Sequence, residues 1–352
     1  MSLSRQQLFN LIGIGYVVEP EIQKAYAYVA QKEWEEQSGD NPHGYKWHTR
    51  LHASSFPGST ESCKRKLLYG LLDIPKSEPT DINLTRYGEV GLDAEARLVD
   101  AWYKYGILLS AHTDDQYQTN LKDESVWLSG NMDAAILPFK KTSPHIVEVK
   151  SRGIEKVLAM KAGTEPCDPS HENQCRSYIE ILNENPPYGS LYPGQKMIVD
   201  AETWQIISPI RSEHQREFGK DKDRQWEHFE LGHCTSGSVL YIARDNPNIF
   251  HEFVFEHDPD WWNDGKERLT EVKDCFIEET IPQDLPMHED GKAVGWSKGD
   301  CAYCPLKRDI CKPDHKEGIV NIKDSNALRV AKEINENYSY EEARKRVLNA
   351  WD

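Results

Sequence analysis

Residues 130–150, GNMDAAILPFKKTSPHIVEVK, place an aspartate, a glutamate and a lysine at Asp133, Glu148 and Lys150. Two carboxylates that converge can hold a hard cation such as Mg2+ or Mn2+, which prefers oxygen ligands and retains waters. Such an ion polarises a phosphoryl oxygen and makes hydroxide accessible near neutral pH. An ammonium beside it can orient the attacking water or stabilise charge developing at phosphorus. Taken alone, Glu-x-Lys is the pattern of an ordinary cross-strand ion pair, so the hydrolytic reading needs a further acid. The stretch GLDAEARLVDAWYKYG, residues 91–106, offers one. Advancing about 100° per residue, a helix there carries Asp93, Arg97, Asp100 and Lys104 on its solvent stripe. Glu95 falls on the opposite side, among Leu92, Val99 and Trp102. A carboxylate turned inward is costly unless it is compensated, either by a basic side chain in the core or by a divalent cation.

The elements that must position these groups are readable from periodicity. In a strand over HIVEVKS, 145–151, the two-residue repeat sets Ile146, Glu148 and Lys150 on one face and Val147 and Val149 on the other. PFKKTSP, with its two prolines, is a connection rather than a strand, which leaves Asp133 on a preceding strand over VWLSGNMDAAIL, 126–137. From about 85 to 185 the order is helix, strand, turn, strand, helix, an α/β arrangement. Farther on come a hairpin (KMIVDAETWQIIS), two strands (GSVLYIARD and IFHEFVFEHD), a helix over 261–279 and a polar helical tail over 325–349. The charged stretch 211–230 reads as an insertion or a solvated helix. Residues 5–38 read as two amphipathic helices, followed by a turn-rich linker over 38–44. Internal repeats, low-complexity tracts and a Walker-type phosphate loop are absent from the sequence.

With 352 residues, 38% of them hydrophobic and 28% charged, the chain can bury a substantial core. A net charge of −16 repels polyanions at long range. A nucleic-acid partner would have to be held by local basic groups, of which Lys64-Arg65-Lys66, Lys140-Lys141 and Lys150 with Arg152 are the candidates. No run approaches the length of a membrane span and no secretory leader is recognisable, so a cytoplasmic protein is expected, with no membrane partner. In reducing cytosol, clustered cysteines suggest metal ligation rather than disulfides, and CAYCPLKRDIC supplies Cys301, Cys304 and Cys311. Cys167, Cys175, Cys234 and Cys275 are widely spaced and read as small buried hydrophobes.

Asp133, Glu148 and Lys150 resemble the signature of the PD-(D/E)XK nuclease superfamily. Downstream, HENQCRSYIEIL places Gln174 and Tyr178 four apart on one helical face, similar to the QxxxY motif of the RecB-like branch. Glu95, with Gly91 four positions earlier, is similar to that branch's upstream helical acid. The resemblance implies a restriction-endonuclease-like mixed sheet flanked by helices. It implies metal binding by Glu95, Asp133, Glu148 and the backbone carbonyl of Val149, with Gln174 and Tyr178 supporting the site and contacting DNA. The segment around Cys63 resembles the leading segment of iron-sulfur members of the branch, the CRISPR-associated RecB-like exonucleases and the AddB nuclease domain. In these one cysteine precedes the core and three follow it. Cys63, Cys301, Cys304 and Cys311 would then hold a cluster, 4Fe-4S in those relatives. Zinc is the competing occupant, since C-x-x-C serves both.

The expected organisation is an N-terminal helical segment (1–48), a nuclease domain (49–315, with an insertion at about 186–236) and a helical tail (316–352). The expected activity is metal-dependent DNA hydrolysis, as an exonuclease on single strands or DNA ends. A helicase or recombination partner is expected because no motor motif is present, in a bacterial or phage-infected cell. Trp102, Tyr103 and Tyr178 are candidates for stacking on bases, with a place in the core as the ordinary alternative. A non-catalytic DNA-end module and a restriction-type endonuclease are the alternatives.

Overall fold

The computed structural model describes residues 50–56, 63–74, 82–110, 119–186, 192–209, 225–283 and 310–351. The expected N-terminal helices and linker, Cys301 and Cys304, and residues 211–224 of the charged stretch lie outside the described residues.

The fold is mixed α/β. A five-stranded sheet runs in the order β11-β10-β6-β5-β2, built from β2 (Leu108–Ser110), β5 (Ala134–Ile136), β6 (His145–Arg152), β10 (Ser236–Ala243) and β11 (Phe250–Glu256). β6 and β10 are parallel and the other neighbours antiparallel. A second sheet, β1-β4-β3, joins Leu51–His52, Leu128–Met132 and Thr119–Asp123. A third, β8-β7-β9, joins Ile206–Pro209, Lys196–Asp200 and Trp226–Glu230.

Four sequence expectations need correction. The single strand over 126–137 is two strands in different sheets, β4 and β5, with Asp133 at the crossing point. The residues around it are small or apolar and buried from Met132 to Ala135, so no alternation in the sequence marks the break. β3 went unrecognised because TNLKD is largely polar, although Leu121 and Asp123 point inward. Residues 226–230 form β9, paired antiparallel with β7, and not a solvated helix. The tail is two helices, with Asn335 extended at the end of the first (φ −136°, ψ 102°).

The described helices are α1 (Lys64–Leu71), α2 (Ile82–Tyr105), α3 (Ile154–Lys161), α4 (Pro169–Glu184), α5 (Pro259–Glu278), α6 (Lys312–Glu317), α7 (Asn326–Ile334) and α8 (Tyr340–Trp351). α4 begins where sequence dictates: Asp168 accepts from the Ser170 N–H at 3.0 Å and Pro169 follows it, a capping side chain and a residue with no N–H to leave unsatisfied. Asp258 and Pro259 start α5 in the same way. α2 covers one face of the large sheet, packing Ala94, Leu98 and Trp102 onto Val147, Val149 and Ile242. α4 covers the other face and brings Tyr178 and Ile179 into the core that contains Ile146.

The C-terminal helices join that core. Ala327, Ala331 and Val347 are buried in the same apolar cluster as Leu68 and Leu72 of the α1 region, and Tyr338 Oη donates to Leu72 O at 2.7 Å. No helix among the described residues is long and apolar enough to cross a membrane.

Candidate active site

The antiparallel register of β5 and β6 pairs Ala134 with Val147; continued by one residue, it sets Asp133 level with Glu148. The period-2 reading of β6 holds. Ile146 and Glu148 are fully buried on one face with Lys150, while Val147 and Val149 pack towards α2 on the other. Asp133 Oδ2 accepts the Val149 N–H at 2.8 Å, tying the sheet-crossing residue to β6. Lys150 Nζ donates to Glu148 Oε1. Glu95 reaches the same place from α2, close enough for its charge to act on Asp133, Glu148 and Lys150. Leu92, read as inward-facing, is 64% exposed instead and lies beside Glu95 at the cavity.

These groups line a cavity of about 300 Å³ together with His52, Ala53, Ser54, Gly130, Asn131, Val149, Gln174 and Tyr178. Burial, followed by the charges of Glu148 and Glu95, holds the Asp133 carboxyl well above the ordinary range, against the opposing pull of Lys150 and the Val149 N–H. Burial also raises Glu148, although the Lys150 ammonium works against it. For Lys150 burial acts downward, and the Glu148 and Asp133 charges more than offset it, so its proton is held more tightly than usual. A single ammonium does not balance the acids, and the excess negative charge is relieved by taking up a proton or a cation.

Among the described residues Glu148 Oε2 is buried with no hydrogen-bond partner, a rare condition for a carboxylate oxygen. An oxygen-only donor set with such an orphaned atom suits a hard divalent ion, so the residues present fit Mg2+ or Mn2+. Lys150 engages Glu148 Oε1, and the Val149 N–H engages Asp133 Oδ2. Among the described residues no three His, Cys, Asp or Glu side chains are drawn into a ligand shell.

Gln174 and Tyr178 serve the site from α4. Gln174 Nε2 donates to Tyr178 Oη at 2.9 Å, and that hydroxyl donates to Asn131 O at 2.9 Å, fixing the strand that leads to Asp133. Tyr178 is 1% exposed, and burial with the nearby Glu148 charge pushes its phenol well upward, so it stays neutral. It is therefore a brace, in keeping with the supporting role and not with base stacking. Trp102 is likewise engaged in the α2 layer, and Tyr103 alone of the three is exposed, at 63%. Gly130 makes room for the brace: a Cβ there would stand 2.5 Å from Tyr178 Oη.

The basic run at 64–66 is not an open basic surface. Lys64 pairs with Glu271 at 2.6 Å and Arg65 is buried, because α1 turns these residues towards the core. Arg152 lies 3.6 Å from Asp168, and Lys140 and Lys141 are exposed. Cys63 and Cys311 are both buried, as are Cys167, Cys175 and Cys234; Cys275 is only half-buried. Sequence reasoning missed His52, Asn131 and the steric role of Gly130. The first two are polar residues in short strands, with no spacing to flag them. Gly130 could have been suspected, as a glycine inside a strand marks a close approach.

No family model matches the chain, and no curated protein matches it. Among solved structures it is similar to one described as "Crystal Structure of LHK-Exo in complex with dAMP", at 11% identity and a TM-score of 0.32, covering 64% of this chain and 87% of that one.

Proposed function

We propose that this chain is a metal-dependent deoxyribonuclease of the PD-(D/E)XK type, hydrolysing phosphodiesters at DNA ends or in single strands. The observation that supports this reading is the convergence of Glu95, Asp133 and Glu148 on one cavity with Lys150 beside them. Glu95, Asp133, Glu148 and the Val149 carbonyl would hold Mg2+ or Mn2+, which supplies Lewis acidity towards a phosphoryl oxygen and acidifies water. The protein's own contributions are distinct. Lys150 keeps its proton, so its ammonium can orient a water or meet charge on the phosphoryl oxygens. Asp133 is held rigidly by the Val149 N–H, and Gln174 and Tyr178 steady the approach to it.

In the same reading Cys63, Cys301, Cys304 and Cys311 hold an iron-sulfur cluster, with zinc as the alternative. Buried Cys63 and Cys311 precede α1 and α6, and these two helices are joined by Tyr69 Oη donating to Asp314 Oδ2 at 3.3 Å. A link between positions so distant in sequence would close a long loop and reduce the freedom of the unfolded chain.

The test is hydrolysis of end-labelled single- and double-stranded DNA by the full chain with Mg2+ or Mn2+. Stepwise release from an end that a chelator stops is the expected result. Internal fragments would favour the restriction-type alternative, and binding without cleavage by folded protein would favour the end-binding module. Gly130→Ala should cost about 1–3 kcal/mol of stability by overpacking and lower the hydrolysis rate, since either the Tyr178 hydroxyl or the 130–133 backbone must move. Thermal melting and the same DNA assay check both; a variant that matches the parent in each would remove the bracing role.

A further inference from the structure

Arg65, on the first turn of α1, is 1% exposed. Its Nε donates to Pro282 O at 2.6 Å. Among the described residues Nη1 and Nη2 are buried and have no hydrogen-bond partner. A guanidinium presents a fixed fork of N–H donors and keeps its charge under all ordinary conditions. Burying that fork with both Nη groups unpaired is among the more costly arrangements a core can contain, so the surroundings should offer an acceptor.

The surroundings are rich in sulfur. Cys63 stands two residues before Arg65 and caps the same helix. Tyr69, one turn later, lies within electrostatic reach of both Arg65 and Cys311. The nearby carboxylate is already engaged: Asp314 Oδ2 accepts from Tyr69, and Oδ1 accepts from the Asn326 backbone N–H and Nδ2, each at 2.8 Å. Buried thiols at Cys63 and Cys311, at the starts of the two helices that meet at Tyr69 and Asp314, bring sulfur to the same region as a guanidinium with unused donors.

We propose that Arg65 is a positioning residue for an anionic, thiolate-ligated centre held by Cys63 and Cys311, its Nη groups donating to sulfur. The inference rests on the cysteine-cluster reading above. Thiolates around either an iron-sulfur core or zinc leave net negative charge and sulfur lone pairs directed outward, which a planar donor fork matches and a lysine matches less well.

The experiment uses full-length chain purified without oxygen, with Arg65→Met and Arg65→Lys beside the parent, analysed for iron, sulfide and zinc. The rate of metal loss to a chelator is then measured. Arg65→Met should lose metal about 10- to 100-fold faster, the cost typical of removing an outer hydrogen-bond partner of a metal site, and Arg65→Lys should fall between. A second comparison is made in a Cys311→Ser background, where the centre cannot assemble. There Arg65→Met should raise the thermal midpoint, because it removes an unpaired buried charge; in the loaded parent it should lower it. Equal chelator kinetics for loaded parent and variants, or the same change in midpoint in both backgrounds, overturns the role of Arg65 and leaves the cluster reading standing. A parent devoid of iron and zinc overturns the cluster reading itself, and the role of Arg65 with it. Should Arg65→Met fail to fold, Arg65→Lys decides: faster loss from folded protein supports the role, and unchanged loss removes it.

Discussion

On the proposed function, Glu148→Gln should lower the rate of DNA hydrolysis by about 10³-fold while the protein stays folded. In the proposed mechanism the loss follows from removing a ligand charge where a cation would stabilise the transition state. The expected tolerance of the fold follows from the site itself. Glu148 is fully buried, one of its oxygens is without a partner, and its charge is opposed by burial and by Glu95. Glutamine keeps the volume and keeps an oxygen for Lys150, so the melting temperature should be unchanged or higher. Lys150→Ala is the informative contrast: activity falls comparably, but stability drops by about 3–5 kcal/mol because a buried carboxylate loses its counter-ion. Single-turnover kinetics, with Mn2+ binding followed by EPR, separate the two. Folded Glu148→Gln that cleaves within tenfold of the parent would remove Glu148 from the catalytic set.

The second large effect is steric and far from the acids. A Cβ on Gly265 would stand 2.0 Å from the Phe56 ring, which stacks on Trp262 with centroids 4.8 Å apart and also touches Trp261. Phe56 is 1% exposed and its carbonyl accepts from Asn173 Nδ2 at 2.9 Å, so the ring has nowhere to retreat. Gly265→Ala should therefore cost about 3 kcal/mol or more, at or above the usual range for overpacking. Because Phe56 closely follows His52 and Ser54, which line the cavity, hydrolysis should fall as well. A Phe56→Leu partner change should recover part of the loss, a coupling that a double-mutant cycle reads from denaturation midpoints. Additive effects would mean that the two positions do not meet.

Much of the site was legible because its chemistry is local. Glu148 and Lys150 share a face by a strict two-residue period; Gln174 and Tyr178 share one by a four-residue helical step, but it was the resemblance to the QxxxY motif that singled the pair out. Glu95 was visible as a carboxylate on the wrong side of its helix. Asp133 was placed near Glu148 correctly, but for an incomplete reason: it sits where the chain leaves one sheet and enters another, and no local pattern encodes a change of sheet. For Tyr178 the sequence left base stacking open beside a supporting place in the core, because a sequence shows an aromatic ring without the hydrogen bonds that use it. Arg65 was misread for the same kind of reason, since a Lys-Arg-Lys run resembles a solvated patch until α1 turns its middle residue inward. The polar strands β3 and β9 escaped because their order comes from pairing, not from their own residue preferences.

The bond from Tyr338 to the Leu72 carbonyl spans 266 positions. During synthesis the ribosome therefore releases every acid of the pocket long before the partners that shield α1 exist. Such distant pairings slow the search for the native arrangement, so this part of a newly made chain should acquire its final form only after translation has passed α8. An interrupted message would leave Leu68 and Leu72 uncovered, a surface for chaperones and proteases to recognise.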